Sequence, residues 1–283
     1  MTNAGKGSWE DAVHWLRSEP ESEQLVRDSY FDDPLSGAAE RYWRSDEWQA
    51  VRRIIGTGPG QALDAGAGRG ISSYALARDG FAVTALEPDP SDLVGSGAIR
   101  ELARQSSLPI NVEENLSEEL PFADASFDVI FARAVLHHIA DLPAAMREFY
   151  RVLRAGGILV AAREHVITTD DDLPAFFASH PLHHRYGGEN AYTLAFYQKA
   201  IRQAGFADLR TIGSLDSAIN YGPQHVRELN QRIAAQIIPV SSLRPIVSGA
   251  LNLPGVGTAF RRILSRFDRR PGRHATFVAR KSA

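Results

Sequence analysis

The feature that most constrains this chain is the alternation of short apolar segments with amphipathic ones between residues 60 and 162. Alternation of this kind indicates an α/β fold, in which crossover helices connect the strands of a parallel sheet. Strands are predicted at 62–65, 82–86, 110–112, 127–132 and 158–162, and helices near 71–79, 91–105 and 141–154. Asp141 is a typical N-cap for the last helix, and Gly156 is expected to end it.

The second half of the chain predicts a helix over 193–204, a strand over 209–212 and a final strand over 275–279. About sixty residues separate the last two strands, which is too long for a hairpin loop. Val226, Leu229, Ile233 and Ile237 have helical spacing there. We therefore expect three parts: an N-terminal helical cap over 1–55, a core over 56–213 and 273–283, and a helical insertion over 214–272.

Composition excludes several classes of function. The chain has no cysteine, so disulfides, thiolate metal sites and cysteine nucleophiles are excluded. A net charge of −3 gives no general attraction to nucleic acid. The N-terminal residues lack the pattern of a signal peptide, and no run of about 18 apolar residues suggests a membrane span. The sequence therefore predicts a cytoplasmic globular protein without a nucleic-acid partner.

The stretch LDAGAGRG, residues 63–70, lies between the first predicted strand and the following helix. Such a turn gathers backbone N–H groups and a helix N-terminus around one point, and glycines allow a ligand to lie against the backbone. The spacing is G-x-G-x-G, whereas a dinucleotide fingerprint is G-x-G-x-x-G, and Ile71 occupies its third glycine position. Glu87, at the end of the second strand, can accept hydrogen bonds from both hydroxyls of a ribose. Together these features predict a nucleoside site.

Three stretches within residues 60–165 resemble the class I S-adenosylmethionine-dependent methyltransferases, and more closely their small-molecule, type 11-like branch. LDAGAGRG resembles the first family motif, and LEPDP resembles the acidic end of the second strand. The block LPFADASFDVIFARAVLHHIADLPAAMREFYRVLRAGGILVAA is similar to the family's region from the fourth to the fifth strand. The resemblance implies a Rossmann-like, mostly parallel sheet of seven strands whose last strand is antiparallel, flanked by helical caps.

The resemblance also implies a cofactor site for S-adenosyl-L-methionine and its product S-adenosyl-L-homocysteine. Glu87 would bind the ribose hydroxyls, Pro88 would flank the adenine, and Asn115 would accept a hydrogen bond from its amino group. Arg133 is a poor neighbour for a sulfonium cation unless it points away or binds a carboxylate. The other cofactor residues implied are Asp64, Gly66, Ala67, Gly68, Gly70, Leu116 and Ala132.

Histidines supply the candidate bases. His137 and His138 follow the fourth strand, and His165 follows the fifth, so all three are expected at the ligand-binding edge of the sheet. His183 and His184 lie in a loop that could close over a substrate, and we favour one of them as the base, with His138 as the next catalytic candidate. The remaining substrate residues are predicted to be His137, His165, Tyr186 and Tyr30.

The residues His180, His183, His184 and Glu189 offer a possible metal site, because the His-x-x-His spacing suits one turn. Pro181 interrupts that pattern and no matching second pair is present, so the sequence predicts no metal.

Residues 255–273 combine arginines with an apolar face. This pattern favours a docked helix with a solvated basic side, and it also allows contact with a membrane surface or an anionic, lipid-like substrate. The apolar stretch before it, residues 237–257, allows a surface that faces lipid or a second copy of the chain.

The sequence as a whole favours an enzyme that methylates a small molecule such as a natural product, sugar or lipid-like acceptor, with oxygen favoured as the methyl acceptor. Two alternatives remain open: an NAD(P)-dependent oxidoreductase and a non-catalytic scaffold that binds adenosylmethionine.

Overall fold

A computed structural model describes residues 7–253 and 255–283. Four helices precede the first strand: α1 Trp9–Ser18, α2 Glu23–Asp28, α3 Leu35–Arg44 and α4 Asp46–Ile55. The first half of the sheet follows as β1 Gln61–Ala65, α5 Ile71–Arg78, β2 Ala82–Leu86, α6 Ser96–Ser106, β3 Ile110–Glu113, β4 Phe127–Arg133, α7 Leu142–Val152 and β5 Leu153–Ile167.

The second half contains short helices around the last strands. They run in the order α8 Leu173–Ser179, α9 His183–Tyr186, β6 Tyr192–Thr193, α10 Leu194–Gln203, β7 Ala207–Ile212, α11 Ala218–Tyr221, α12 Val226–Ile237, α13 Arg244–Leu251, α14 Val256–Phe267 and β8 Arg273–Arg280. Within the described residues, no helix has the length and apolar character needed to cross a membrane.

The strands form one sheet in the order β3-β2-β1-β4-β5-β8-β7, and the two-residue strand β6 pairs with β5. Strands β1 to β5 run parallel to one another, whereas β8 runs antiparallel to both β5 and β7. The predicted fold class, a mostly parallel sheet of seven strands whose last strand is antiparallel, is confirmed. The strand order reverses direction between β1 and β4, where ligands of open α/β sheets bind beyond the carboxyl ends of the strands.

The core lies on both faces of this sheet. Helices α7 and α10 cover one face with side chains that include Met146, Phe149 and Tyr197. Helices α3, α4 and α5 cover the other face, where Trp48 and Tyr42 are completely buried. The N-terminal aromatic residues therefore serve partly as ordinary core.

Two predicted helix boundaries are wrong. Helix α6 begins at Ser96, because residues 92–94 form turns, and helix α7 ends at Val152. Asp141 does cap α7, since its side chain accepts from the N–H of Ala144 at 2.9 Å. Gly156 does not end the helix, because Leu153 already pairs with Phe127 in the sheet and Gly156 lies within β5.

Candidate functional site

A cleft of about 880 Å³ opens at the carboxyl edge of the sheet. The glycine-rich turn after β1 and the ends of β2, β4 and β5 form its floor, and the N-terminal helices and the segment from α8 to residue 189 form its walls. Three lining residues that are not glycine, Tyr30, Ala134 and Arg163, have φ values of 61°, 56° and 59°. Such backbone conformations are uncommon outside glycine and often occur at functional sites.

The glycine-rich turn needs its three glycines for two different reasons. Their φ values are 64°, 54° and 83°, so all three lie in the left-handed region that glycine favours. A Cβ on Gly66 would lie 2.6 Å from Val135, and one on Gly70 would lie 3.2 Å from Ile99, so these two glycines allow packing. A Cβ on Gly68 would meet only the carbonyl of Val94, at 3.9 Å, so its open side faces the cleft.

Glu87 faces this turn from the end of β2. Its Oε2 accepts from the N–H of Gly68 at 2.7 Å, and its Oε1 accepts from the N–H of Asp89 at 3.0 Å. Burial raises the pKa of Glu87, although these two backbone N–H groups oppose the increase. The carboxylate is thus fixed by main chain while each oxygen keeps acceptor capacity toward the cleft.

Asp64 lies directly behind the turn. Its Oδ2 accepts from the hydroxyls of Ser72 at 2.7 Å and Ser73 at 2.5 Å. Its buried Oδ1 has no hydrogen-bond partner among the described residues. Burial raises the pKa of Asp64 to about 6, against the lowering effect of the two serines.

The other predicted cofactor residues are only partly at the cleft surface. Ala67, Pro88, Asn115, Leu116 and Arg133 line it, together with Gly66, Gly68 and Glu87. Asp64, Gly70 and Ala132 lie behind the lining instead. Ala132 differs most from its prediction, because its side chain is buried in the core against the sheet.

The electrostatic question raised by Arg133 is resolved by a buried ion pair. The Nε of Arg133 lies 2.6 Å from Oε1 of Glu47, a fully buried residue of α4. Arg163, at the end of β5, lies 3.5 Å from the other oxygen of Glu47. Glu47 raises the pKa of Arg133 more than burial lowers it, so the guanidinium stays charged but compensated. Sequence reasoning missed Glu47, because 86 residues separate it from Arg133.

The N-terminal segment closes one side of the cleft. Tyr30, Phe31 and Trp9 line it. Arg69, inside the glycine-rich turn, donates to the carbonyl of Tyr30 at 3.0 Å and to the carboxylate of Asp33 at 2.8 Å. Arg69 was not among the predicted site residues, yet it fastens the turn to this segment.

Three of the predicted histidines meet in the cleft, and two do not. His137, His138 and His165 line it, as does the predicted substrate residue Tyr186. His183 instead stacks on Phe177, with ring centroids 4.1 Å apart, and His184 is exposed. Both belong to the short helix α9, and neither is a lining residue. The preferred bases of the sequence prediction are therefore displaced from the site.

Residues around Glu189 complete the far wall. Glu189 is buried, its Oε1 accepts from the hydroxyl of Tyr186, and His180 lies 3.6 Å from it. In the sequence, Glu189 and His180 are candidates only for a metal site, and Pro181 argues against that use.

Comparison with known proteins bears on this site. Residues 63–161, from β1 to β5, match the model of a methyltransferase domain. The malonyl-[acyl-carrier protein] O-methyltransferase of Serratia marcescens is 38% identical over 112 residues, which are 38% of this chain and 41% of the relative. The demethylmenaquinone methyltransferase of Mycolicibacterium paratuberculosis is 35% identical over 127 residues, which are 44% of this chain and 50% of the relative. The chain thus spans half or less of the length of these relatives.

A solved structure gives the same picture of the fold. Phosphoethanolamine N-methyltransferase 2 of Haemonchus contortus, in complex with S-adenosyl-L-methionine, aligns with a TM-score of 0.55 and 16% sequence identity. The alignment covers 92% of this chain and 60% of the other. At this identity the likeness shows a shared fold.

Proposed function

We propose that this chain is a class I S-adenosylmethionine-dependent methyltransferase, since residues 63–161 match a methyltransferase domain, and that it binds S-adenosyl-L-methionine in the cleft and transfers its methyl group to a small molecule. The observation that carries the proposal is the open face of Gly68 opposite Glu87. A ligand can lie against the main chain there and present ribose hydroxyls to a carboxylate that is already fixed.

The residues present fit this cofactor. Glu87 would accept hydrogen bonds from the ribose hydroxyls, and Pro88, Asn115 and Leu116 would lie around the adenine. Asp64, behind the lining, would hold the turn in place through the hydroxyls of Ser72 and Ser73. When bound, the cofactor supplies a methyl carbon activated by a sulfonium. Glu47 lies closer to Arg133 than to Arg163 and offsets the charge of the Arg133 guanidinium, so this guanidinium repels a nearby cation less.

The acceptor side of the cleft gives distinct roles to three histidines. Methyl transfer requires mainly that a nucleophile be held in line with the methyl carbon and away from water. The Nδ1 of His138 lies 3.1 Å from the carbonyl of Gly188, which can only accept, so this nitrogen carries the proton. The Nε2 of His138 is left as an acceptor for a substrate hydroxyl, and His137 and His165 shape the pocket. His138 thus replaces His183 and His184 as the proposed base, and oxygen remains the favoured acceptor atom.

The partner proposed for the insertion is an anionic lipid surface. Large apolar side chains are exposed on α13 and α14, namely Ile246, Val256, Ile263 and Phe267. Arg262, Arg266 and Arg269 are exposed beside them. Apolar anchors flanked by cations favour an interface with anionic headgroups, and this placement would suit a lipid-like acceptor.

The functional test measures binding and turnover separately. Glu87→Ala should weaken binding of S-adenosyl-L-homocysteine in calorimetry by about 1.5–3 kcal/mol, the cost of losing a charged hydrogen-bond partner. Gly68→Val should abolish binding, because the new side chain fills the open face of the turn. Glu101→Ala, an exposed glutamate of α6, is the control and should bind as the wild type does.

Two further measurements decide between the alternatives. If the site binds NAD(P) and does not bind S-adenosyl-L-homocysteine, the result would support an oxidoreductase instead. With an acceptor found by screening hydroxylated compounds, His138→Ala should lower turnover by about 10²–10⁴-fold with product affinity kept, whereas His184→Ala should not. Unchanged affinity in Glu87→Ala would contradict the cofactor assignment.

A further inference from the structure

Three side chains from separate segments converge on one point of the cleft. His137 lies in the 3₁₀ turn after β4, His165 lies in β5, and Glu189 lies in the loop before β6. Each offers one potential ligand atom, and these three atoms lie within 4.8 Å of one another. The proximity arises from the sheet, since β4 and β5 are neighbours whose carboxyl ends meet at the same edge.

The hydrogen bonds behind the two histidines determine which ring nitrogen carries the proton. The Nδ1 of His137 lies 2.8 Å from Oε2 of Glu164, whose two oxygens also accept from the backbone N–H groups of Val135 and His137. The Nδ1 of His165 lies 3.1 Å from the carbonyl of Gly272. A carbonyl can only accept, so His165 carries the proton on Nδ1 and leaves Nε2 with a free lone pair. The ionised form of Glu164 would fix the same tautomer of His137. A carboxylate or carbonyl behind the ring is the usual arrangement for histidines that bind metals.

Glu189 brings a third electron pair to the same place. Its relative exposure is only 7%, and its Oε2 has no hydrogen-bond partner among the described residues. That oxygen lies 3.6 Å from Nε2 of His137 and 3.9 Å from Nε2 of His138.

The burial of these groups makes an unpaired acceptor costly at this point. His137 is 2% exposed and Glu189 is 7% exposed, and Oε2 of Glu189 lacks a hydrogen-bond donor among the described residues. A cation held between this oxygen and the two imidazoles would give it a partner.

We propose that His137, His165 and Glu189 bind a divalent first-row transition metal ion at the acceptor side of the cleft. Bond lengths of about 2.0–2.2 Å place tetrahedral ligand atoms about 3.3–3.6 Å apart. The 3.6 Å between His137 and Glu189 already meets that value. His165 closes the remaining distance by a small side-chain movement.

The ligand set also indicates the class of metal. Two imidazoles and one carboxylate with an open position are typical of catalytic zinc and of non-haem iron(II). Magnesium prefers oxygen ligands throughout and is not expected here. The open position faces the cleft, where it would bind an acceptor oxygen. This last step rests on the proposed methyl transfer, whereas metal binding itself does not.

The test uses the whole protein after removal of metal with a chelator. Zn²⁺ should bind with a stoichiometry of one in calorimetry, and Co²⁺ should give visible absorption of a nitrogen- and oxygen-ligated ion, while Mg²⁺ should not compete. Glu189→Gln and His165→Ala should each raise the Zn²⁺ dissociation constant at least 100-fold, and Glu164→Gln, which removes the carboxylate behind His137, should raise it about 10–100-fold. His184→Ala is the control, an exposed histidine of the same region that lies outside the cleft.

Each variant is also checked for its melting temperature and for binding of S-adenosyl-L-homocysteine. If the protein binds S-adenosyl-L-homocysteine but not Zn²⁺, the metal site is overturned and the cofactor site is retained. Zn²⁺ binding that His184→Ala removes, or that Glu189→Gln and His165→Ala leave unchanged, would overturn it as well. If the protein binds Zn²⁺ but not S-adenosyl-L-homocysteine, the proposed function is overturned and the metal site is retained.

Discussion

At the scale of single residues, the site departs from ordinary protein chemistry mainly through buried groups that lack full partners. Asp64 and Glu189 each keep one buried carboxylate oxygen without a hydrogen bond among the described residues. An unpaired buried acceptor costs about 1–3 kcal/mol. Asp64 lies behind the cleft lining, whereas Glu189 lines the cleft, where the proposed cation would give its oxygen a partner.

Asp64 predicts a pH dependence of stability for the ligand-free protein. Burial raises its pKa from the ordinary 3.8 to about 6, so between these values the folded state holds a proton that the unfolded state releases. The free energy of unfolding therefore falls as pH rises from about 4 to about 6, by about 3 kcal/mol for a shift of this size. Asp64→Asn should remove the part of the slope that Asp64 contributes in urea titrations, whereas exposed Asp171→Asn should keep the wild-type slope. Glu87 and Glu164, whose pKa values burial also raises, contribute the remainder in both variants. Parallel curves for wild type and Asp64→Asn would contradict the raised pKa.

At the scale of elements, the sequence predicted best what is local and periodic. The strands β1 to β5 follow from apolar runs, and the Gly-rich turn and Glu87 follow from motifs that lie within 25 residues of each other. Prediction failed where contacts are long-range. Glu47, the partner of Arg133, lies on α4. His137 and His165, which lie close to Glu189, come from the turn after β4 and from β5. Spacing along the chain gave no signal for either contact. The sequence places the base on α9 because nothing in it shows that His183 packs on Phe177.

The contact of α4 with the ends of β4 and β5 predicts a strong dependence on Glu47. Glu47→Gln would leave Arg133 and Arg163 buried without a countercharge, which typically costs about 3–5 kcal/mol. The free energy of unfolding should fall by that amount in urea titration. Affinity for S-adenosyl-L-homocysteine should also fall under conditions in which the variant is still fully folded. Glu101→Gln, which removes an exposed ion pair with Arg104, is the control and should behave as wild type. Unchanged stability in Glu47→Gln would mean that the ion pair does not hold α4 to the sheet.

At the scale of the whole molecule, the N-terminal helices and the insertion surround the cleft in different ways. The N-terminal helices are joined to the core through Glu47 and Arg69, which reach the ends of β4 and β5 and the glycine-rich turn. The insertion packs its own small core around Leu229, Ile233 and Leu251, and its outer helices carry the exposed apolar side chains. The division into cap, core and insertion stays a prediction, but each part has a distinct proposed role. In the proposed scheme the cap would cover the cofactor, the core would perform the chemistry, and the insertion would contact the source of the acceptor.

The surface of α14 makes the proposed role of the insertion measurable. Val256, Ile263 and Phe267 fall on one stripe of the helix, since they are seven and four residues apart, and the exposed Arg262 and Arg266 flank it. Each arginine near an anionic membrane contributes about 1 kcal/mol, so the protein should float with vesicles that contain phosphatidylglycerol and much less with pure phosphatidylcholine. High salt and the double variant Ile263→Ser/Phe267→Ser should both reduce flotation, whereas Phe196→Ser, an exposed aromatic residue of α10, should not. A dimer in sedimentation that the double variant dissociates, with no vesicle binding by the wild type, would assign this surface to a second copy of the chain instead.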